Sequence, residues 1–262
     1  MVLASCGIAL IILATLARTR GSSRWIRPRV IAGLTMLLAL SSITAVPAAA
    51  SHTVITTADS TWFAFGNGLK IYLSSPRHTD SGSRGECGWE ENINGRHWNY
   101  YAASVNTGGG YGSFYSRTYD VTVSANSRDD LYTSNVTSAN NWGADAYIVT
   151  HTNANNGCPD SASYLLVMYK SNNTNSIALK NELLTDLDPA TPGGTNNWTC
   201  DNLGIYECIY VNTWYRAYVE LFFHTNSSAV SWFQGNGTEG SGGVQDAWRY
   251  GYAIDHLWGY PR

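Results

Sequence analysis

Charged residues, and lysine above all, are scarce in this chain. Only 13% of the 262 residues are charged, against about 25% in an average soluble domain, and three are lysine. No C-x-x-C pair occurs, so the usual cysteine spacing of a structural zinc site is missing. Tandem repeats and low-complexity linkers are also missing. These absences argue against a repeat protein, a cysteine-zinc module and a chain of several domains.

The first 50 residues have the composition of a secretory leader. They contain five arginines and no acidic residue. A basic stretch at 24–29 precedes an apolar run and then the small residues of "PAAASH", which is the order found in signal peptides. We expect cleavage after Ala50, which leaves a mature domain at 51–262 and places the protein outside the cell.

The rest of the chain carries a net negative charge. Residues 51–262 contain 11 basic and 19 acidic residues, a formal net charge of −8. Such a charge disfavours binding of nucleic acid through its phosphates. The apolar run at the start of the chain, 1–17, is shorter than the ~20 residues of a spanning helix. We therefore expect one domain without nucleic acid and without a stable membrane anchor. The sequence leaves the oligomeric state open, and a monomer is the preferred alternative.

Four cysteines follow the leader, at Cys87, Cys158, Cys200 and Cys208. An even number of cysteines in an exported chain indicates two disulfides, and three pairings are possible. The short separation of Cys200 and Cys208 favours a local bridge between them. That bridge would leave Cys87 to pair with Cys158.

Apolar strand-like runs alternate with segments of helical spacing. This alternation predicts an α/β fold: one three-layer domain with a twisted, mainly parallel sheet and helices on both faces. Strands are expected at 69–75, 112–121, 146–150, 163–170 and 216–226, and helices at 91–105, 127–143, 175–187 and 244–260.

Polar residues follow or interrupt three of the predicted strands. His78 and His151 come after two strands, and Glu220 interrupts a third that is otherwise apolar. The carboxyl ends of parallel strands share one edge of a sheet, where such folds keep their sites. Two histidines with Glu90 or Glu91 would provide the three protein ligands of a catalytic zinc. We therefore predict one Zn²⁺ per chain, with Glu220 as the general base.

Each of these residues also has an ordinary structural interpretation. A histidine at the end of a strand, such as His151, is often partly buried for packing reasons. Glu220 could form an ion pair with Arg216, because a buried carboxylate needs a partner or a role. The sequence leaves both interpretations open.

Five segments resemble, in order, the motifs of the zinc-dependent N-acetylmuramoyl-L-alanine amidases (the Amidase_3 family). The opening motif "lDpGHgG" is similar to "IYLSSPRHTDSGS", and "GxxExxxN" to "GWEENIN". Two central motifs, "TRxxD" and "RxxxANxxxADlfiSiHaNa", resemble "SRTYD" and "SRDDLYTSNVTSANNWGADAYIVTHTNAN". The last motif, "vlvEtGFlsN", resembles "YVELFFHTN". Together the segments extend over nearly all of 51–262.

The resemblance implies an activity and a set of residues for it. The substrate would be the peptidoglycan of the cell wall, cut at the amide between N-acetylmuramic acid and L-alanine. One zinc would be held by His78, Glu91 and His151, and Glu220 would be the general base. Counting back from Asn94 favours Glu90 as the ligand instead, so Glu90 stays the alternative to Glu91.

Two motifs depart from the family pattern. "DPGH" is replaced by "SPRH", which introduces Arg77, and "EtGF" is replaced by "ELFF". These changes keep open a non-catalytic wall-binding protein on a degenerate amidase scaffold. A zinc carboxypeptidase-like peptidase is a further alternative, although the H-x-x-E spacing usual there does not follow His78.

Two divergent segments, at 155–164 and 190–208, are expected to shape the substrate groove. Aromatic side chains could stack there on sugar rings, although they are also common in protein cores. The candidates are Trp89, Trp142, Trp198 and Trp214.

Overall fold

The apolar runs assemble into one sheet in the computed structural model of the chain. The structure describes residues 53–56, 60–64, 69–76, 86–106, 119–124, 132–155, 157–235 and 243–259. The predicted leader at 1–50 lies outside the described residues, as do Arg77 and His78.

The sheet has eight strands: β1 (Thr53–Thr56), β2 (Ser60–Ala64), β3 (Lys70–Ser74), β4 (Asp120–Ser124), β5 (Ala146–Asn153), β6 (Tyr164–Tyr169), β7 (Gly194–Thr199) and β8 (Tyr215–Phe223). Their order across the sheet is β1-β2-β4-β3-β5-β8-β6-β7. At its centre β3 pairs in parallel with β4 and β5, and β5 pairs in parallel with β8. Antiparallel pairs join β1 to β2, β2 to β4 and β6 to β8, while β7 lies parallel to β6.

Seven α-helices accompany the sheet within the described ranges. Two of them begin at asparagine caps: Asn173 accepts a hydrogen bond from Ser176 N, and Asn226 accepts one from Ala229 N. Single 3₁₀ turns lie at Glu86–Gly88 and Gly243–Trp248. The helices are α1 (Glu91–Asn106), α2 (Tyr132–Trp142), α3 (Thr174–Leu187), α4 (Cys200–Leu203), α5 (Tyr206–Tyr210), α6 (Ser227–Gln234) and α7 (Arg249–Leu257).

Alternate side chains of the strands point to opposite faces of the sheet. On the first face Ile71, Ile148 and their neighbours form the main core with α1, α3, α6 and α7. On the second face Tyr72 and Tyr147 pack against α2, and Leu166 packs beside the cysteines of α4 and α5. The predicted three-layer α/β domain, with helices on both faces of a mainly parallel sheet, is therefore confirmed.

Several boundaries and elements differ from the predictions. Residues 112–118 of the predicted strand and 127–131 of the predicted helix lie outside the described residues. The described part of that strand continues past 121 to Ser124, and the described part of that helix, α2, ends at Trp142. The helix predicted at 244–260 is a 3₁₀ turn followed by α7. The sequence analysis missed β1, β2, β7, α4, α5 and α6. Of these, β7 is a largely exposed edge strand of sequence GTNNWT, which has no apolar alternation to reveal it.

Both disulfides pair as the spacing suggested. One joins Cys87 to Cys158 and the other joins Cys200 to Cys208. The second bridge ties α4 to α5 on the second face of the sheet. Among the helices of the described ranges, none has the length and apolar character needed to cross a membrane.

Candidate active site

Two of the predicted site residues lie side by side at the carboxyl edge of the sheet. His151 in β5 is in register with Glu220 in β8, so their side chains project from neighbouring positions of parallel strands. The pairing shifts between His151 and Asn153, which marks an irregularity where β5 leaves the sheet. The edge of the sheet therefore brings together residues that are 69 positions apart in the sequence.

Glu91, the first residue of α1, reaches the same edge. Its Oε1 lies 3.1 Å from Nδ1 of His151 and accepts a hydrogen bond of 2.8 Å from Thr152 N. The amino end of a helix carries partial positive charge, which stabilises a carboxylate placed there. Glu90, the alternative ligand, precedes α1, and its backbone carbonyl accepts a hydrogen bond from Asn94 N. The contact with His151 is made by the carboxylate of Glu91.

The imidazole of His151 is enclosed by acidic and aromatic groups. It is 8% exposed, and its ring stacks on Tyr218 with centroids 4.8 Å apart. Burial lowers the pKa of His151, but the carboxylates of Glu91, Glu207 and Glu220 outweigh burial and raise the pKa above 6.5. The site therefore favours a positive charge at this position.

Glu207 is a site residue that the sequence analysis missed. It lies in α5, and its Oε2 is 4.0 Å from Nε2 of His151. Its Oε1 accepts hydrogen bonds from Ser74 Oγ at 2.8 Å and Tyr147 Oη at 3.0 Å. The signal for it was a single acid in the apolar segment "GIYECIY", the same kind of signal that marked Glu220.

Glu220 is held in an environment that disfavours its charge. Its Oε2 is buried and has no hydrogen-bond partner among the described residues. Burial raises the pKa of Glu220 to about 7, with Glu91 adding to the rise and His151 opposing it. A carboxyl group with that pKa can both accept and donate a proton near neutral pH.

The ion pair suggested for Glu220 and Arg216 is not part of the structure. Arg216 lies four residues earlier in β8, which separates the two by about 13 Å along an extended strand. Its Nη1 donates a hydrogen bond to the carbonyl of Val211 instead. The buried carboxylate of Glu220 therefore lacks this structural explanation.

The described donor atoms fit a zinc ion. Two ligands of a tetrahedral zinc, each about 2.0 to 2.1 Å from the metal, lie roughly 3.3 Å apart. The distance of 3.1 Å between His151 Nδ1 and Glu91 Oε1 agrees with this spacing. Imidazole nitrogen and carboxylate oxygen are also donors that zinc accepts. His78, the third predicted ligand, lies outside the described residues.

A second cluster of potential ligands lies away from this edge, between α3 and α7. Ligand atoms of Glu182, Asp186 and His256 are within 4.8 Å of one another. His256 Nδ1 is 3.1 Å from Asp186 Oδ2 and 3.4 Å from Glu182 Oε2. The group contains none of the predicted ligands, and it links two helices of the first face.

The tryptophans proposed to stack on sugars have other positions. Trp89 is 6% exposed and packs against Phe222 in the core. Trp142 packs against Tyr72 on the second face. Trp198 and Trp214 are exposed, but Trp214 precedes β8 and so lies at the edge opposite His151.

Tyrosines, and none of the four candidate tryptophans, line the pocket beside His151. A pocket of about 280 Å³ is lined by His151, Glu207 and Tyr218 together with Tyr132 and Tyr206. Tyr206 and Glu207 belong to the divergent segment 190–208, which was expected to shape the substrate groove. The pocket thus lies between His151, a candidate metal ligand, and the second-face helices α2 and α5.

The unusual pKa of Glu220 predicts the pH dependence of stability in metal-free protein. Because the pKa rises from 4.5 to about 7 on folding, the folded state favours the neutral acid. The stabilisation is complete below pH 4.5 and is lost as the pH rises through 7. Between about pH 4 and pH 8, metal-free wild type should lose roughly 3 kcal/mol of unfolding free energy relative to Glu220→Gln.

Urea denaturation of both proteins with a chelator present, at the two pH values, measures this difference. The Gln variant lacks the titrating group, so it is the reference that accounts for all other ionisations of the wild type. A stability difference that does not change with pH would contradict the raised pKa.

Solved structures of known proteins share this fold. The catalytic domain of CwlV, an N-acetylmuramoyl-L-alanine amidase from Bacillus (Paenibacillus) polymyxa var. colistinus, is 13% identical with a TM-score of 0.57, over 74% of this chain and 99% of that one. The amidase AmiC2 of Nostoc punctiforme is 16% identical with a TM-score of 0.55, over 72% and 97% of the two chains. An N-acetylmuramoyl-L-alanine amidase from Clostridium difficile 630 is 18% identical with a TM-score of 0.52, over 74% and 97%.

Comparison by sequence finds no such relatives. No protein-family model matches the chain, and no curated protein matches it. At sequence identities of 13% to 18%, the similarity to these solved structures shows a shared fold. The chain therefore has the α/β fold of N-acetylmuramoyl-L-alanine amidase catalytic domains.

Proposed function

We propose that residues 51–262 form a secreted zinc-dependent peptidoglycan hydrolase of the cell wall. The bond cut would be the amide between the lactyl group of N-acetylmuramic acid and L-alanine. One observation carries the proposal: at the carboxyl edge of an amidase fold, Glu91 contacts His151 beside the carboxyl of Glu220, whose Oε2 is buried. The resemblance of the sequence motifs adds independent support.

The metal would be held by His78, Glu91 and His151. Bound there, zinc supplies Lewis acidity that polarises the scissile carbonyl and lowers the pKa of water towards about 7. Glu91 rather than Glu90 is the proposed ligand, because its carboxylate is the one that contacts His151. The described ligands bring one negative charge and one neutral imidazole to the ion.

Glu220 is proposed to move the proton. Its carboxylate accepts a proton from the attacking water and delivers it to the nitrogen of L-alanine. A C–O bond forms as the C–N bond breaks, and the products are the lactyl carboxylate and a free amino terminus. The pKa of about 7 suits both halves of this transfer, because the acid and the base are both populated near neutral pH.

Glu207 is proposed to position His151. The two ring nitrogens of His151 face different carboxylates, with Nδ1 towards Glu91 and Nε2 towards Glu207. A carboxylate beyond the ring favours a proton on Nε2, which leaves Nδ1 free to bind a metal. Ser74 and Tyr147 hold the Glu207 carboxylate in place.

The replacement of "EtGF" by "ELFF" places larger apolar side chains in the core next to Glu220. Leu221 and Phe222 follow Glu220 directly, and both are fully buried in the core of the first face. Phe222 packs edge-on against Trp89, two residues before Glu91. Apolar residues at these positions support the segment that leads into α1, and they leave the carboxyl of Glu220 at the sheet edge. This observation favours an enzyme over a degenerate scaffold.

Purified 51–262 loaded with zinc should release new alanine amino termini from purified peptidoglycan. Labelling of amino termini identifies the residue, and a parallel assay for new reducing sugar ends separates an amidase from a glycosidase. Release of termini other than alanine would replace the proposed bond with a peptide bond. Zinc binding without any release would contradict the proposal.

A further inference from the structure

Three tyrosines form an exposed aromatic surface next to the candidate active site. Tyr132, Tyr206 and Tyr210 are 44%, 36% and 61% exposed. The ring centroids of Tyr132 and Tyr206 are 5.7 Å apart, and those of Tyr206 and Tyr210 are 4.6 Å apart. We propose that this tyrosine ridge binds the glycan strand of peptidoglycan beside the scissile amide. The proposal rests on the proposed function and names the part of the substrate that the second face holds.

The tyrosine ridge is continuous with the active site. Tyr132 and Tyr206 line the same pocket as His151 and Glu207. The volume of this pocket is about 280 Å³. That value is close to the lower end of the range for ligand pockets, about 300 Å³, and the space can hold a single sugar unit. Tyr206 belongs both to the pocket wall and to the ridge, so a ligand that fills the pocket and continues along α5 meets Tyr210.

Tyrosine is suited to this kind of ligand. The face of its ring is apolar and packs on the C–H face of a sugar ring, while its hydroxyl can bond to sugar hydroxyls. The three rings are tilted, by 57° between Tyr132 and Tyr206 and by 38° between Tyr206 and Tyr210. An exposed aromatic patch that adjoins a pocket is typical of a ligand-binding groove.

The tyrosine ridge is held rigidly on the sheet. The Cys200–Cys208 disulfide closes α4 against α5, directly beside Tyr206 and Tyr210. Within the same helix Glu207 is 5% exposed and bonded to Ser74 and Tyr147. A surface that is already ordered loses little conformational entropy when a ligand binds.

Electrostatics favours a neutral polymer over a charged one. Three carboxylates, those of Glu91, Glu207 and Glu220, lie next to His151, which lines the pocket. The mature domain also carries a net charge of −8. Anionic polymers are therefore repelled, and so is a second copy of the same acidic chain. In peptidoglycan with intact stem peptides the lactyl carboxyl is part of an amide, so the glycan strand is neutral.

Kinetics with two substrates test the proposal. In Tyr206→Ala/Tyr210→Ala the half-saturating concentration for polymeric peptidoglycan should rise about ten-fold, the loss expected for stacking contacts. The change in the half-saturating concentration should be larger than any change in the maximal rate. It should also be larger for polymeric peptidoglycan than for a lactyl-L-alanyl peptide without sugar, which lacks the glycan strand. Trp214→Ala is the matched control, since Trp214 is 70% exposed but lies at the opposite edge of the sheet; its constants should equal those of wild type.

A binding measurement separates this proposal from the proposed function. An N-acetylglucosamine oligomer should bind to Glu220→Gln protein and bind about ten-fold more weakly when Tyr206 and Tyr210 are also replaced by Ala. Equal oligomer binding with and without the two tyrosines would overturn the role of the ridge, even if the enzyme is an amidase. A wild-type dimer that the double variant converts to a monomer would overturn it too, by assigning the ridge to contacts between copies. Absence of alanine release by wild type would instead refute the proposed function, and the oligomer titration would still decide on the ridge.

Discussion

Replacement of Glu220 by Gln should reduce the release of alanine amino termini by about three orders of magnitude, within the range usual for loss of a general acid or base. Gln has nearly the same shape as Glu but cannot take a proton from water. The bound zinc should remain, because Glu220 is not one of the proposed ligands. Initial rates on peptidoglycan, together with zinc content per chain, measure both parts of the prediction.

Glu207 is a second carboxylate near His151, so the activity of Glu207→Gln is an informative comparison with that of Glu220→Gln. Glu207→Gln should keep more activity than Glu220→Gln, because Glu207 orients His151 from a distance of 4.0 Å and is already hydrogen-bonded to Ser74 and Tyr147. Glu182→Gln, which alters a carboxylate of α3 far from the sheet edge, is the neutral control. If Glu220→Gln keeps more than a tenth of the wild-type rate, the general base is another residue.

The centre of the fold could be predicted because each central strand is an apolar run of strand length bounded by polar loop residues. Residues Ala146–Val149 and Leu165–Met168 are buried from both sides, and their sequences show it. Parallel pairing then follows from the alternation with helices, and it places His151 and Glu220 at one edge without knowledge of the contacts. This topological rule therefore predicted that His151 and Glu220 belong to one site.

The second-face part of the site could not be predicted in the same way. Helices α4 and α5 have four and five residues, too few for a periodic pattern. They are fixed by a disulfide and by the contact of Glu207 with Ser74, which is 133 positions earlier in the chain. Tertiary contacts of that range are invisible to local propensity. Glu207 and Tyr206 were therefore missed although the segment itself was expected to border the substrate.

Replacement of His151 by Ala should remove the zinc and, with it, all measurable hydrolysis. Even residues that only support a ligand change metal affinity by about 10- to 100-fold, so loss of a ligand should cost more than 100-fold. The melting temperature of wild type should fall when a chelator is added, because a ligand that binds only the folded state stabilises it. The melting temperature of His151→Ala should be the same with and without the chelator.

The cluster at Glu182, Asp186 and His256 provides the matched control for this experiment. His256 has carboxylate neighbours, as His151 does, and its side chain is 5% exposed, but it lies between two helices of the first face. His256→Ala should keep one zinc per chain and full activity, with a loss confined to the stability of the α3–α7 contact.

Both histidines have Nδ1 about 3 Å from a carboxylate oxygen, so the geometry of the donor atoms alone does not distinguish them. What distinguishes His151 is the buried carboxyl of Glu220 in register beside it, since a metal that activates water needs a proton acceptor within reach. Zinc retained by His151→Ala and lost by His256→Ala would reverse the assignment and remove the metal from the sheet edge.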